Sequence, residues 1–244
     1  MVNGGGNATM GTKITGINAV QLAMTTNFTA NTTASLKISG SSTGGDTITL
    51  GAPTQSVIVG GPNETIKATA ANAGASISDL GANSTLQITN GGTLALNALT
   101  DVTTVKLSAA SNLTLNQMSF ITAIGSAGAD TIKAGTSNQT LTGGAGADTL
   151  VGFAGGGDTF KDTAANLNND TIQNFVVSDT IDLTNLAFVA GATTLTTAVN
   201  AAGNTKVTVV SGATKSAFTL TGSFTSSVLH LASDGAVGTY LTHT

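Results

Sequence analysis

The chain has 244 residues, of which 40% are hydrophobic and only 8% charged, with a formal net charge of −4. That composition excludes the charged, apolar-poor class of disordered chains, and the absence of cysteine excludes disulfide staples and thiol chemistry. All eight basic residues are lysine; without arginine, the side chain best matched to phosphate and base edges, no nucleic-acid partner is expected.

Reading from the N-terminus, Met1-Val2-Asn3-Gly4-Gly5-Gly6 lacks the basic and apolar regions of a signal peptide. Export therefore uses another signal, or the chain is cut from something longer between modules. Residues 1–34 form an N-terminal segment in which Ile14 to Met24 reads either as one coil or as a short helix. From there on, helix signals are scarce and Thr, Gly, Asn and β-branched residues favour strands and turns. The phrase acidic-Thr-apolar, with Ile, Leu or Phe as its apolar residue, recurs seven times, at Asp46, Glu64, Asp130, Asp148, Asp158, Asp170 and Asp179. Apolar strand centres run Ile48, Ile58, Ile66, Ile77, Leu86, Leu94, Val105, Leu113, Ile124, Ile132, Leu141, Leu150 and Phe160, in steps of about nine residues. Each step is a short strand followed by a polar or glycine turn, and two steps make a coil that stacks on the next by parallel pairing. The pattern predicts an all-β parallel β-solenoid, with coils over 35–124, a distinct Gly-Asp-rich stretch over 125–160 and a C-terminal β cap within 161–244. No apolar run reaches the roughly 18 residues of a membrane-spanning helix, so no transmembrane segment is expected.

The stretch from Gly125 carries the chemistry. Gly143-Gly144-Ala145-Gly146-Ala147-Asp148-Thr149-Leu150-Val151 matches the nonapeptide Gly-Gly-x-Gly-x-Asp-x-apolar-x at every defined position. Gly125-Ser126-Ala127-Gly128-Ala129-Asp130-Thr131-Ile132-Lys133 departs only at Ser126, and the intervening repeat has Gln139 in place of Asp. A further turn, Gly155-Gly156-Gly157-Asp158, carries an insertion. Ca²⁺ takes six to eight oxygens, which carboxylates and turn carbonyls supply together, and glycine lets the turn backbone approach closely. Gly125, Gly128, Asp130, Gly143, Gly144, Gly146 and Asp148 are the main candidate ligand-turn residues, with Gly155, Gly156 and Asp158 at a weaker or altered site. Asp46 sits in an incomplete pattern, Gly44-Gly45-Asp46, where a plain glycine turn competes with a metal site. Asp170, Asp179 and Asp182 either cap turns or bind a further ion.

With these repeats the chain resembles the RTX family, calcium-binding β-roll proteins exported by bacterial type I systems. The resemblance implies that calcium sits between turns on one edge of the roll, two repeats apart, as Asp130 and Asp148 are. Asp170-Thr171-Ile172-Gln173-Asn174-Phe175-Val176-Val177-Ser178-Asp179-Thr180-Ile181-Asp182-Leu183 looks like the segment that closes the roll in that family, with Ser178 where Gly is usual, and Ala217 to Gly222 looks like its closing strands. It further implies a type I exporter as partner, an export signal in the C-terminal region, and a secreted or cell-surface location. The Thr- and Ala-rich composition is similar to bacterial surface-layer proteins.

No catalytic arrangement is present in the sequence. His230 and His243 are the only histidines, and neither His-Glu-x-x-His nor Gly-x-Ser-x-Gly occurs. The expected function is a calcium-dependent structural module of an exported surface-layer-like protein, not an enzyme, with self-assembly or a cell-surface glycan as its contacts. The alternatives are the C-terminal domain of an exported hydrolase and an adhesin module.

Overall fold

The computed structural model describes every residue except 13, 15, 33, 34, 74, 75, 80–82, 97, 98, 101 and 116. It divides into two units, Met1–Ala109 and Ala110–Thr244. Among the described residues the only helix is the single 3-10 turn Ala70–Asn72, N-capped by Thr69, and no helix is long and apolar enough to cross a membrane. The remainder is strand and turn, and the chain is a parallel β-solenoid.

In the first unit, strands Gly6–Thr9, Thr26–Thr29, Thr47–Thr49, Thr65–Ala68, Thr85–Ile88 and Thr104–Leu107 form one parallel ladder. Strands Ala19–Gln21, Lys37–Ser39, Ser56–Val59, Ser76–Asp79 and Leu99–Thr100 form another. Each coil thus contributes one strand to each ladder, which is the two-step beat of the sequence. Register stacks like on like: Phe28, Ile48, Ile66, Leu86 and Val105 form one buried column, and Ile38, Val57 and Ile77 a second. At roughly 1.5–3 kcal/mol for each fully buried large aliphatic side chain, these columns are the main stabilising term.

The second unit begins in the same way. Thr122–Ile124, Thr140–Thr142, Thr159–Asp162 and Thr180–Leu183 make one parallel ladder. Ser111–Thr114, Thr131–Lys133, Thr149–Val151 and Thr171–Gln173 make the other. Pairing then changes sense. Thr214–Leu220 still joins Thr171–Gln173 in parallel, but Thr205–Ser211 and then Thr194–Val199 add to it antiparallel. Thr239–His243 adds antiparallel to Thr180–Leu183, and Leu229–Ser233 adds to that.

Of the two readings of Ile14 to Met24 the coil holds among the described residues: Ala19–Gln21 is a strand paired with Lys37–Ser39, and Gly6–Thr9 pairs with Thr26–Thr29, both in parallel. Other expectations need correcting. Ile58 is 49% exposed and Val57 takes the inward place. Likewise Ile124 is only partly buried while Ala123 is fully inside. Both errors are one-residue slips, which in a strand exchange the two faces. Strands Thr194–Val199 and Thr239–His243 were not anticipated; the first is largely exposed and lacks the apolar beat that marked the others.

Candidate metal centre

The acidic-Thr-apolar phrase has a single structural meaning. The Thr opens a strand, the apolar residue points into the core, and the residue before the Thr is buried beneath the turn. A buried carboxylate is costly unless donors meet it, and most of these are met in one way. One oxygen accepts an N–H from the preceding coil and the other accepts an N–H from its own turn. Asp46 accepts from Thr26 N and Ser41 N, both at 2.6 Å. Asp130 accepts from Ser111 N at 2.7 Å, and from Ser126 N and Oγ at 2.6 and 2.8 Å. Asp158 accepts from Gln139 N and Phe153 N, and Asp179 from Asp158 N and Val176 N, all between 2.7 and 3.0 Å. The glutamines adapt the scheme. Gln139 and Gln55 accept from Gly135 N and Gly51 N, each at 2.8 Å, and donate to a carbonyl of the preceding coil, Met118 O or Asn31 O. These carboxylates and amides are staples between coils.

Asp148 and Asp170 break the scheme. Asp148 Oδ1 accepts from Asp130 N at 2.7 Å and Asp170 Oδ1 from Asp148 N at 2.9 Å, so both join the Asp130 column. Their Oδ2 atoms are buried and meet no donor. The cause for Asp148 is local. In the Asp130 turn the second oxygen is held by Ser126 N; the equivalent donor beneath Asp148, Gly144 N, instead bonds Asp162 Oδ2 at 2.8 Å. Asp162 stands in the turn position that Gly143 and Gly125 occupy in the earlier coils, and its other oxygen accepts from Thr163 N and Asn166 Nδ2. Burial, together with repulsion from neighbouring carboxylates, raises Asp148 to about 6 and Asp170 to about 7. Asp158 and Asp179 are also raised, chiefly by burial, though their backbone donors oppose it.

The glycines make room for this packing. A Cβ at Gly143 would strike the Asp148 carboxylate, and one at Gly144, whose φ is +88°, would strike Ser126 O. Gly125, Gly128 and Gly146 lie in the same stacked turns, with Gly125 against the Gly143 carbonyl, Gly128 against Ala110 and Gly146 against Gly128. Gly155 and Gly156 lie in the Asp158 turn, on the edge that carries Gln139 and Asp179. Asp46 belongs to the other unit and has both oxygens in use.

The candidate residues therefore separate. Asp130, Asp148 and Asp170 are brought into one column; Asp158 and Asp179 form a second with all four oxygens bonded. Within the Asp130 column, Asp148 and Asp170 each keep one oxygen without a donor, whereas Ser126 fills the second oxygen of Asp130. Asp162 was missed by sequence reasoning: it ends a strand instead of preceding one, and its signals are a carboxylate where the repeat calls for glycine and Asp162-Thr163-Ala164, with only the small Ala164 as apolar residue. Among the described residues, no three carboxylate or imidazole side chains converge as a ready-made metal cage. The donor set still suits a hard cation, with two buried carboxylate oxygens that meet no donor and a third carboxylate beside them. None of the known family models, curated proteins or solved structures matches this chain.

Proposed function

We propose that this chain is a calcium-dependent structural module of an exported bacterial cell-surface protein, of the RTX type. The observation that carries the reading is the pair of orphaned oxygens on Asp148 and Asp170, with Asp162 beside them. An unsatisfied buried acceptor costs about 1–3 kcal/mol, more when charged, and a divalent cation removes that penalty. Asp148 and Asp170 would supply the charged oxygens, Asp162 a third, and the glycine turns their carbonyls. The ion's contribution is electrostatic and structural: it binds the Gly143–Asp148 turn to the loop between Asp162 and Asp170.

Binding free energy then becomes folding free energy for these coils. Extracellular calcium modules bind in the range of about 10⁻⁴ to 10⁻³ M, which keeps a chain loose inside a cell and closes it outside. Hydrogen exchange in calcium and after chelation tests this. Protection should fall first over 125–170, while 35–109 changes little. Unchanged protection over 125–170 would leave the carboxylates as staples alone.

Export through the C-terminal region rests on the resemblance of 170–183 and 217–222 to the closing segment of that family. Truncation after Ser211 should leave the protein inside a cell carrying the matching exporter; undiminished secretion would contradict it. The reading as a self-assembling surface module, and not an enzyme, is supported by the staples, which occupy most of the buried acidic groups with backbone bonds.

A further inference from the structure

The antiparallel pair Thr205–Ser211 and Thr214–Leu220 sets Lys206 opposite Thr219, Thr208 opposite Ala217 and Val210 opposite Lys215. Alternation along the strands places these six residues on one face. The other face is the core side, where Val207, Val209, Phe218 and Leu220 are buried. Lys206 and Lys215 stand exposed at opposite ends of the outer face. They are four residues apart along the pair, which is roughly 14 Å between their backbones.

The chain leading to Asp170 walls this face. Asn169 N donates to Ala217 O at 2.8 Å, and Asn168 Oδ1 accepts from Ala217 N at 3.0 Å. Between wall and strands lies a cavity of about 490 Å³, lined by Ala165, Asn168, Asn169, Lys206, Lys215 and Ala217. The bond to Ala217 fixes the Asn168 amide, so its Nδ2 turns away from the strand and meets no acceptor among the described residues. Lys206 and Lys215 likewise have no acidic or hydrogen-bonding partner among the described residues. No acidic or aromatic side chain lines the groove. The chain has eight lysines against twelve acidic residues, so two unpaired ammonium groups on one groove make a local positive site on an acidic protein.

We propose that this groove binds an acidic polysaccharide, with Lys206 and Lys215 each meeting an acid group and the Asn168 amide a ring or hydroxyl oxygen. The choice of a glycan rests on the cell-surface location proposed above. The geometry favours an elongated ligand with more than one acid group, because the two lysines sit at opposite ends of the groove. Single-stranded nucleic acid would need aromatic platforms for its bases, and none lines the groove. An anionic lipid surface is met by clusters of about four to eight basic residues. Asp170, next in the chain after Asn169, is fully buried, and a cation held there leaves no negative charge beneath the groove.

Calorimetric titration of the full chain in calcium tests this, with fragments of hyaluronan (carboxylate), of dextran sulfate (sulfate) and of neutral dextran. Wild type should bind at least one acidic fragment and not dextran. Binding of hyaluronan identifies carboxylate sugars as the ligand, and binding of dextran sulfate alone identifies sulfate- or phosphate-type groups. The double variant Lys206→Gln, Lys215→Gln keeps both stems and should bind about tenfold more weakly or worse. Lys106→Gln removes an exposed lysine of the first unit and should change nothing. Failure of both acidic fragments to bind overturns the proposal, as do equally tight binding of dextran and equal losses in Lys106→Gln and the double variant. Lysine-dependent binding to phosphatidylglycerol vesicles alone assigns the groove to lipid and also overturns it. Calcium titration of the same samples separates this from the metal reading. Normal calcium binding without any polysaccharide binding removes only the groove, whereas lysine-dependent polysaccharide binding in a chain that takes no calcium supports the groove and removes the metal.

Discussion

Asp46 and Asp148 occupy the same place in the repeat but differ in what their second oxygen meets. Asp46 has two short backbone donors; Asp148 has one. Asp46→Ala removes an acceptor and strands two buried N–H groups, so it should destabilise the first unit by about 2–4 kcal/mol in denaturant titration, with or without calcium. In calcium-free buffer, Asp148 and Asp170 should make stability fall as pH rises. Their folded values, about 6 and about 7, lie above the 3.8 of an ordinary aspartate. Between about pH 4 and 7 the folded state therefore holds protons that the unfolded state has released. The loss accrues over that window, on the order of a few kcal/mol, and levels off above it. Urea midpoints at pH 4.5 and 8 in chelator check this. A higher midpoint at pH 8 would mean that donors meet these carboxylates after all. At this scale the sequence was only partly legible. The acidic-Thr-apolar phrase located every buried acidic residue ahead of a strand. Whether each serves as staple or ligand depended on one neighbour, Ser126 or Asp162, whose bond to a particular N–H no spacing rule reveals.

Strands of three or four residues hold their face through one or two inward residues, so small register differences matter. Val57 stacks between Ile38 and Ile77, while its neighbour Ile58 faces out. Val57→Ala should cost about 1–3 kcal/mol through lost transfer and cavity terms, and Ile58→Ala about 0.5 kcal/mol or less. Thermal midpoints of the two variants decide it, and equal losses would contradict the register. The beat of nine made the ladder legible because each coil repeats one apolar position per strand. It could not separate Val57 from Ile58, or Ala123 from Ile124, where adjacent residues are both apolar. Beyond Leu186 most of the added pairing is antiparallel and the repeat ends, which is why Thr194–Val199 and Thr239–His243 went unread, while Thr214–Leu220, still parallel to Thr171–Gln173, overlaps the closing strands expected at Ala217 to Gly222.

Across the whole molecule, stacked apolar columns and backbone-bonded staples hold the coils of both units. The second unit carries the candidate site: Oδ2 atoms of Asp148 and Asp170 without a donor, and Asp162 in a glycine position beside them. At calcium about a hundred times Kd, one site adds roughly 2.7 kcal/mol, a large part of ordinary domain stability. Calcium should therefore raise the unfolding midpoint of the second unit and leave the first unchanged. Calorimetric titration of calcium into wild type, Asp46→Ala, Asp148→Ala and Asp162→Asn tests the central claim most directly. The account predicts wild-type affinity in Asp46→Ala, at least tenfold weaker binding in Asp148→Ala, and a smaller loss in Asp162→Asn. Equal losses in Asp46→Ala and Asp148→Ala, or no calcium heat in the wild-type chain, would contradict it.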